Sequence, residues 1–190
     1  MKKLKPLFTL ILFSIFALNA TPQTEKGKFI LGGDMNFTQS STSYSDSPSD
    51  KYKVVKFTAG PGLMIARNLA IGLPFSFSVS SENQNRNTAL LAGPSMQLYI
   101  GKDKLKPFLN GGIGIGLAKE EYIPYGSTTQ TSKQNLFAYQ AGAGLSFFIN
   151  NWLSLEFQES YSSVKYKPAS GQDSYTETGW SFHVGLELFL

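Results

Sequence analysis

"LAIGLPFSFSVS" (residues 69–80) sets Leu69, Ile71, Leu73, Phe75, Phe77 and Val79 in strict alternation with Ala70, Gly72, Pro74, Ser76, Ser78 and Ser80. Successive side chains of a β-strand point to opposite faces, so this period of two makes one apolar face and one small, polar face. A soluble antiparallel sheet buries its apolar face and shows water a polar, charged one. The second face of 69–80 carries no charge at all, only Ser, Gly, Ala and Pro. It suits an enclosed and crowded space better than bulk water.

The same period recurs in seven other stretches: 28–38, 53–66, 88–100, 107–118, 136–149, 152–164 and 176–190. The last sets Trp180, Phe182, Val184, Leu186, Leu188 and Leu190 against Gly179, Ser181, His183, Gly185 and Glu187. An apolar outside around a polar inside, on strands of about 9–11 residues, is the pattern of a transmembrane β-barrel. Such strands must close into a ring, because an open edge in lipid leaves backbone groups without partners. The fold class expected is all-β, an eight-stranded antiparallel up-and-down transmembrane β-barrel.

The connections alternate in length. "RN" (67–68), "GKDKLK" (101–106) and "NN" (150–151) are short, whereas those at 39–50, 81–87, 119–134 and 166–175 are longer and polar. Outer-membrane barrels have this asymmetry, with short periplasmic turns and long extracellular loops. A repeat fixes the phase: "FTAGPGLMI", "LLAGPSMQLYI" and "YQAGAGLSFFI" occur once per hairpin, with Gly60, Gly93 and Gly142 facing inward. Pro61, Pro74 and Pro94 fall within strands, where proline gives no ladder hydrogen bond, so bulges are expected there.

The first 20 residues, "MKKLKPLFTLILFSIFALNA", have a basic head, an apolar run of about 12 residues and a small residue at Ala20. That is the layout of a secretory signal peptide, and the run is too short to span a bilayer as a helix. The expected organisation is a leader over 1–20, cut near Ala20/Thr21, and one barrel domain over 21–190. The whole chain has 17 Lys+Arg against 13 Asp+Glu, and the leader takes three of the lysines. A near-neutral mature chain has no basic stripe for nucleic acid, so none is expected as a partner. The absence of cysteine excludes disulfides, thiolate metal sites and a lipid-bearing cysteine.

Inward parity falls on Asp34, Lys56, Gln97, Asn110, Gln140, Glu156, Gln158, His183 and Glu187. An eight-stranded barrel is only wide enough for side chains, so these form a hydrogen-bonded interior network in preference to a pore. Lys56 should pair with the carboxylates, since unpaired buried charge is costly. Ser181, His183 and Glu187 share a face of the last strand and invite a catalytic reading. Residues two apart sit roughly 7 Å from one another along a strand, beyond direct hydrogen bonding, so no catalysis is expected. "NGGIGIG" (110–116) has no following helix and is no phosphate loop. Tyr99, Tyr139, Trp152, Tyr161 and Trp180 are candidates for interfacial girdles.

The ending "HVGLELFL" (183–190) resembles the C-terminal β-signal of outer-membrane proteins at His183, Gly185, Leu188 and Leu190, with Leu190 standing where an aromatic residue is usual. The resemblance implies recognition by the barrel-assembly machinery. Taken whole, the mature chain resembles the small outer-membrane β-barrel family that includes the outer-membrane protein A and X types. Its hairpin "GLMIARNLAIGLPFSFS" (62–78) is similar to Bacteroidetes-like members. Membership implies the fold and residence in the cell outer membrane, in contact with its lipid, but no single activity, and no cofactor is expected. The function expected is structural or adhesive, through extracellular loops able to bind an extracellular ligand, by a monomer that is not an enzyme. The alternatives are a narrow porin-like channel, a lipid-modifying enzyme and a soluble periplasmic ligand-binding barrel.

Overall fold

The computed structural model describes residues 24–44, 47–82, 85–122, 130–168 and 174–190, with side chains described outside 37–53, 82–85 and 122. The expected leader and its cleavage point lie outside the described residues. Among the described residues ten strands are formed, all paired antiparallel: β1 (Phe29–Tyr44), β2 (Ser47–Ala66), β3 (Leu69–Gly72), β4 (Phe75–Glu82), β5 (Asn85–Ala92), β6 (Ser95–Tyr99), β7 (Leu105–Tyr122), β8 (Gln130–Phe148), β9 (Leu153–Pro168) and β10 (Tyr175–Phe189). The eight expected segments become ten strands because two of them are interrupted, at Leu73–Pro74 and at Gly93–Pro94.

The interruptions are not bulges. β2 keeps one register against β3 and β4, from Met64↔Ala70 through Gly62↔Gly72 to Ala59↔Phe75 and Tyr52↔Glu82. β7 does the same against β5 and β6, from Arg86↔Glu121 to Tyr99↔Phe108. Nor is there a shift at Pro61, which pairs in step with Leu31. The expectation of bulges at Pro61, Pro74 and Pro94 is therefore corrected. Each proline lacks its donor but keeps its acceptor: Pro61 O receives Leu73 N at 2.9 Å, Pro74 O receives Gly93 N at 3.4 Å, and Pro94 O receives Ile113 N at 3.1 Å. Half of each exchanged pair survives, and this holds the register across the interruption.

β3 with β4, and β5 with β6, thus act as two staves of an eight-stave ring. A circuit of cross-strand partners runs from Gly185 to Asp34, Thr58, Ser76, Leu91, Gly116, Leu136, Tyr166 and back to β10 at Tyr175. It returns ten residues from its start. An offset of that size on eight staves tilts the strands by about 40–45° from the barrel axis. The closing seam between β1 and β10 is short, pairing Ile30–Met35 with Val184–Phe189, and ends in the exchanged bonds Phe29 N to Leu190 O (3.1 Å) and Leu190 N to Phe29 O (2.8 Å).

The alternation read from the sequence is the alternation of the wall. Ile71, Leu73, Phe75, Phe77, Leu90, Met96, Leu109, Ile113, Ile115, Phe137, Phe182 and Leu186 all stand exposed on the outside. Trp180 and Ile115 are each 70% exposed. A continuous apolar band of this kind has no place in water, and it argues against the soluble periplasmic alternative. On the short-turn side, Asn68 closes its turn in the left-handed region at φ 65, which Asn tolerates better than most side chains. Asn150 Oδ1 accepts from both Trp152 N and Leu153 N at 2.9 Å, an Asx turn.

The opposite connections differ from expectation. Most of the polar segment 39–50 is strand, with β1 running to Tyr44 and β2 starting at Ser47. Likewise β7 extends to Tyr122 and β8 begins at Gln130, inside the expected loop 119–134. Both hairpins continue past the apolar band. Pattern reading missed this because both segments are largely polar and offer no apolar face to alternate.

Candidate functional site: the barrel interior

The interior has an apolar floor, a polar level above it and, toward the long hairpins, a smaller buried apolar cluster of Ala89, Ala118, Leu136 and Tyr166. At the short-turn end, Ile30, Met64, Ala70, Tyr99, Phe108, Phe148 and Phe189 form a buried apolar cluster. Its rings pack edge-on or tilted, with Tyr99 6.0 Å from Phe108, 6.4 Å from Phe148 and 6.1 Å from Phe189, centroid to centroid. Phe148 and Phe189 stand 5.1 Å apart. This cluster is a floor across the barrel. Beneath it Lys106 Nζ donates to Thr24 Oγ1 (2.5 Å) and Asn68 Oδ1 (3.2 Å) and lies 5.5 Å from the Phe148 ring centre. Asn68 N also donates to Thr24 O at 2.8 Å, so the first described residue is stitched to the turn.

Tyr99 was expected in an outer girdle and is instead 2% exposed inside. Parity in "SMQLYI" accounts for this, since Met96, Leu98 and Ile100 are exposed outside and the residue between them faces in. Tyr139, Trp152 and Trp180 do stand exposed on the outside, and Tyr161 packs edge-on against Trp180 at 5.4 Å.

Above the floor a cavity of about 130 Å³ is lined by Asp34, Gln97, Asn110, Gln140, Glu156, Gln158, His183 and Glu187, among others. A second, of about 80 Å³, lies beside Lys56 and Gln140. Asn110 Nδ2 donates to Gln158 Oε1 at 2.7 Å, and Gln97 Nε2 donates to Glu156 Oε1 at 3.2 Å. Among the described residues Lys119 pairs with Glu121 and the His183 ring contacts Asp34, whereas the expected pairing of Lys56 with a carboxylate is not made within 4.0 Å.

His183 gathers the best-formed group. Its Nδ1 is 2.9 Å from Asp34 Oδ1, and its Nε2 is 2.8 Å from Ser181 Oγ and 3.0 Å from Ser160 Oγ. The carboxylate accepts, so Nδ1 carries the proton and Nε2 is left to accept from a serine. The expected separation of Ser181 from His183 is overturned: the Cα spacing is long, but the side chains lean together along the strand. The carboxylate partner is Asp34 from β1 and not Glu187, which sits lower. Only the closing register brings Asp34 here, opposite Gly185. Asp34, Ser160 and the Ser181–His183 pair come from β1, β9 and β10, so the cluster clamps three staves across the closing seam. Asn36 adds a bond across the same seam, donating from Nδ2 to Phe182 O at 2.5 Å.

Of the expected assembly-signal residues, His183 is buried in this clamp and Gly185 lies against β1, while Leu188 is half-buried and Leu190 exposed outside. An antiparallel ring, apolar outside, polar within and plugged at one end, defines the class: a transmembrane β-barrel of the outer-membrane type. The chain belongs to the outer membrane protein beta-barrel domain family, whose pattern matches residues 8–190. That match is to the family and does not extend to the Bacteroidetes-like type that the 62–78 hairpin resembles.

Two solved structures share the fold. Neisserial surface protein A (NspA) has a TM-score of 0.55 at 14% identity, covering 86% of this chain and 97% of its own. The outer membrane protein OprG from Pseudomonas aeruginosa has a TM-score of 0.51 at 12% identity, covering 87% and 97%. At these identities the likeness is one of fold. No curated protein matches the chain.

Proposed function

We propose that this protein is a closed outer-membrane barrel that presents its long hairpins for recognition or adhesion at the cell surface. The observation that carries the reading is the contrast between its two ends. The aromatic floor seals the short-turn end, whereas β1–β2 and β7–β8 project as paired strands beyond the apolar band. Rigid scaffolds with projecting ends are a common way to carry binding. The barrel works as a monomer in outer-membrane lipid. Its assembly proceeds through the barrel-assembly machinery, with His183, Gly185, Leu188 and Leu190 as the residues read.

The test is a pair of deletions, 39–50 and 119–134, in cells displaying the protein. Both variants should keep the gel shift between unboiled and boiled samples that marks a closed barrel. They should lose adherence to sibling cells and to epithelial monolayers. Undiminished adherence in both would end the adhesive reading. The channel alternative has its own measurement, conductance in planar bilayers. The floor predicts no discrete current steps, and steps in the intact protein would replace this reading with a pore.

A further inference from the structure

The group at His183 has the geometry of an activated nucleophile as well as that of a clamp. Asp34 Oδ1 stands 2.9 Å from Nδ1, and on the far side of the ring Ser181 Oγ stands 2.8 Å from Nε2. A hydroxyl within about 2.6–3.2 Å of a base, with the base oriented in turn by a third group, is the arrangement that makes a serine attack. Two hydroxyls share Nε2, and burial separates them. Ser160 is 1% exposed, so no carbonyl carbon can approach it, whereas Ser181 is half-buried. Of the two, Ser181 is the one open to attack a substrate, and Ser160 helps to hold the ring.

The wall beside Ser181 supplies a second observation. β1 and β10 exchange backbone bonds at Phe29 and Leu190, so the even-numbered residues of β10 turn their N–H groups toward β1. The ladder ends at Met35↔Val184, and the next such amide is Phe182 N, without a ladder partner on β1. It belongs to the residue after Ser181, a position from which a backbone N–H can hold the oxygen of the carbonyl under attack. Continued in the same register, Thr38 would stand opposite Ser181, but β1 and β10 are not paired there. The seam is thus split beside the hydroxyl. On the outer face Trp180 is 70% exposed and packs against Tyr161. Rings of this kind settle where lipid headgroups begin, which is also the depth of a lipid's ester carbonyls. On the inner side the cavity of about 130 Å³ reaches Asp34 and His183 and has room for several waters.

We propose that Ser181 and His183 are the catalytic residues, with Asp34 as positioning residue, of a hydrolase for acyl esters of membrane lipid that enter through the split seam. Ser181 Oγ attacks the ester carbonyl carbon while His183 Nε2 takes its proton, and the Phe182 N–H receives the oxyanion. The bond from that carbon to the alcohol oxygen breaks, the proton passes from His183 to the departing oxygen, and the acyl group stays on Ser181. A cavity water, giving its proton to His183, then attacks the acyl carbon. The fatty acid leaves, and Ser181 Oγ takes the proton back from His183. The inference rests on residence of the barrel in the outer membrane but not on the adhesive role of its hairpins.

The experiment uses the full folded barrel, in detergent and in phosphatidylethanolamine vesicles. A fluorophosphonate probe should label the natural protein at Ser181, located by peptide mass spectrometry, and fatty acid should be released from the vesicles. S181A should abolish both signals. H183Q should lower the rate of release about 10²–10⁴-fold, the share of a general base. D34N should lower kcat and leave KM unchanged, because Asp34 acts through the ring and does not touch the lipid. The control S162A, on an inward serine outside the group, should behave as the natural protein does. The boiled-against-unboiled gel shift reports whether each variant is folded; if H183Q fails it, S181A, which removes a single oxygen, decides. No label on Ser181, or release that survives in S181A, would overturn the site. Cleavage of p-nitrophenyl acetate without release from the vesicles would overturn lipid as its substrate.

Discussion

β1 has two edges, and they are made differently. Toward β2 it pairs from Phe29 to Thr42, and after one shift again at Tyr44, in a hairpin whose strands follow one another in the chain. Toward β10 it pairs only from Ile30 to Met35, across 149 residues of sequence between Asp34 and His183. Above Met35 the closing seam is bridged by Asn36 on the Phe182 carbonyl, and from the last paired residues Asp34 reaches up to His183. A ring cut from a linear chain has one seam without a covalent turn. Here polar side chains hold it where the backbone ladder stops.

The largest effect should come from the base of that seam. Phe189 is 1% exposed and packs on Phe148 and Tyr99, so Phe189→Ala should cost about 3–5 kcal/mol in urea unfolding from detergent. Next is Gly185→Val. A Cβ there meets Gly33 O at 2.9 Å and Asp34 Cβ at 3.1 Å, and forcing β1 away should cost about 1–3 kcal/mol. Asn36→Ala, which removes one bond across the upper seam, should cost about 0.5–1.5 kcal/mol. If it matches Phe189→Ala, the division between base and upper seam is wrong.

Amide exchange sharpens the comparison without mutation. Alternate residues of an antiparallel strand turn their N–H groups to opposite neighbours. Along Asn36–Thr42 and Tyr175–Phe182, every second amide should therefore exchange fast while its neighbours, bonded to β2 or β9, stay protected. Uniform protection would show that the upper seam is paired after all.

The smallest effect lies far from the seam, on the projecting part of β7. There Glu121 takes a hydrogen bond from Lys119 and feels its charge, which holds the carboxyl below the ordinary carboxylate range of about 4.3. A lowered folded value means the contribution is present above the unfolded value and is lost as pH falls through the folded one. At neutral pH it is constant. An NMR titration of Lys119→Ala should return Glu121 to the ordinary range.

The wall of this molecule was legible from alternation alone, because lipid outside and side chains inside impose period two on every stave. The floor was less so. Phe148 and Phe189 each adjoin an outward apolar residue, so they read as part of a run, and only strict parity separates them. The His183 clamp was half visible. Ser181 and His183 lie on one strand, but Asp34 arrives by register, which no local pattern encodes. The hairpin extensions were invisible for a different reason: their sequences are largely polar, with no apolar face to alternate.

The ten-residue return of the circuit restricts how such a chain can change its length. One residue added within a stave would turn the remaining outward side chains of that stave inward and shift its register against both neighbours. Additions at a hairpin tip, such as beyond Tyr44 or Tyr122, leave phase and closure untouched. The barrel therefore behaves as a fixed gauge carrying adjustable tips, and new surface reach accrues where counting errors do no harm.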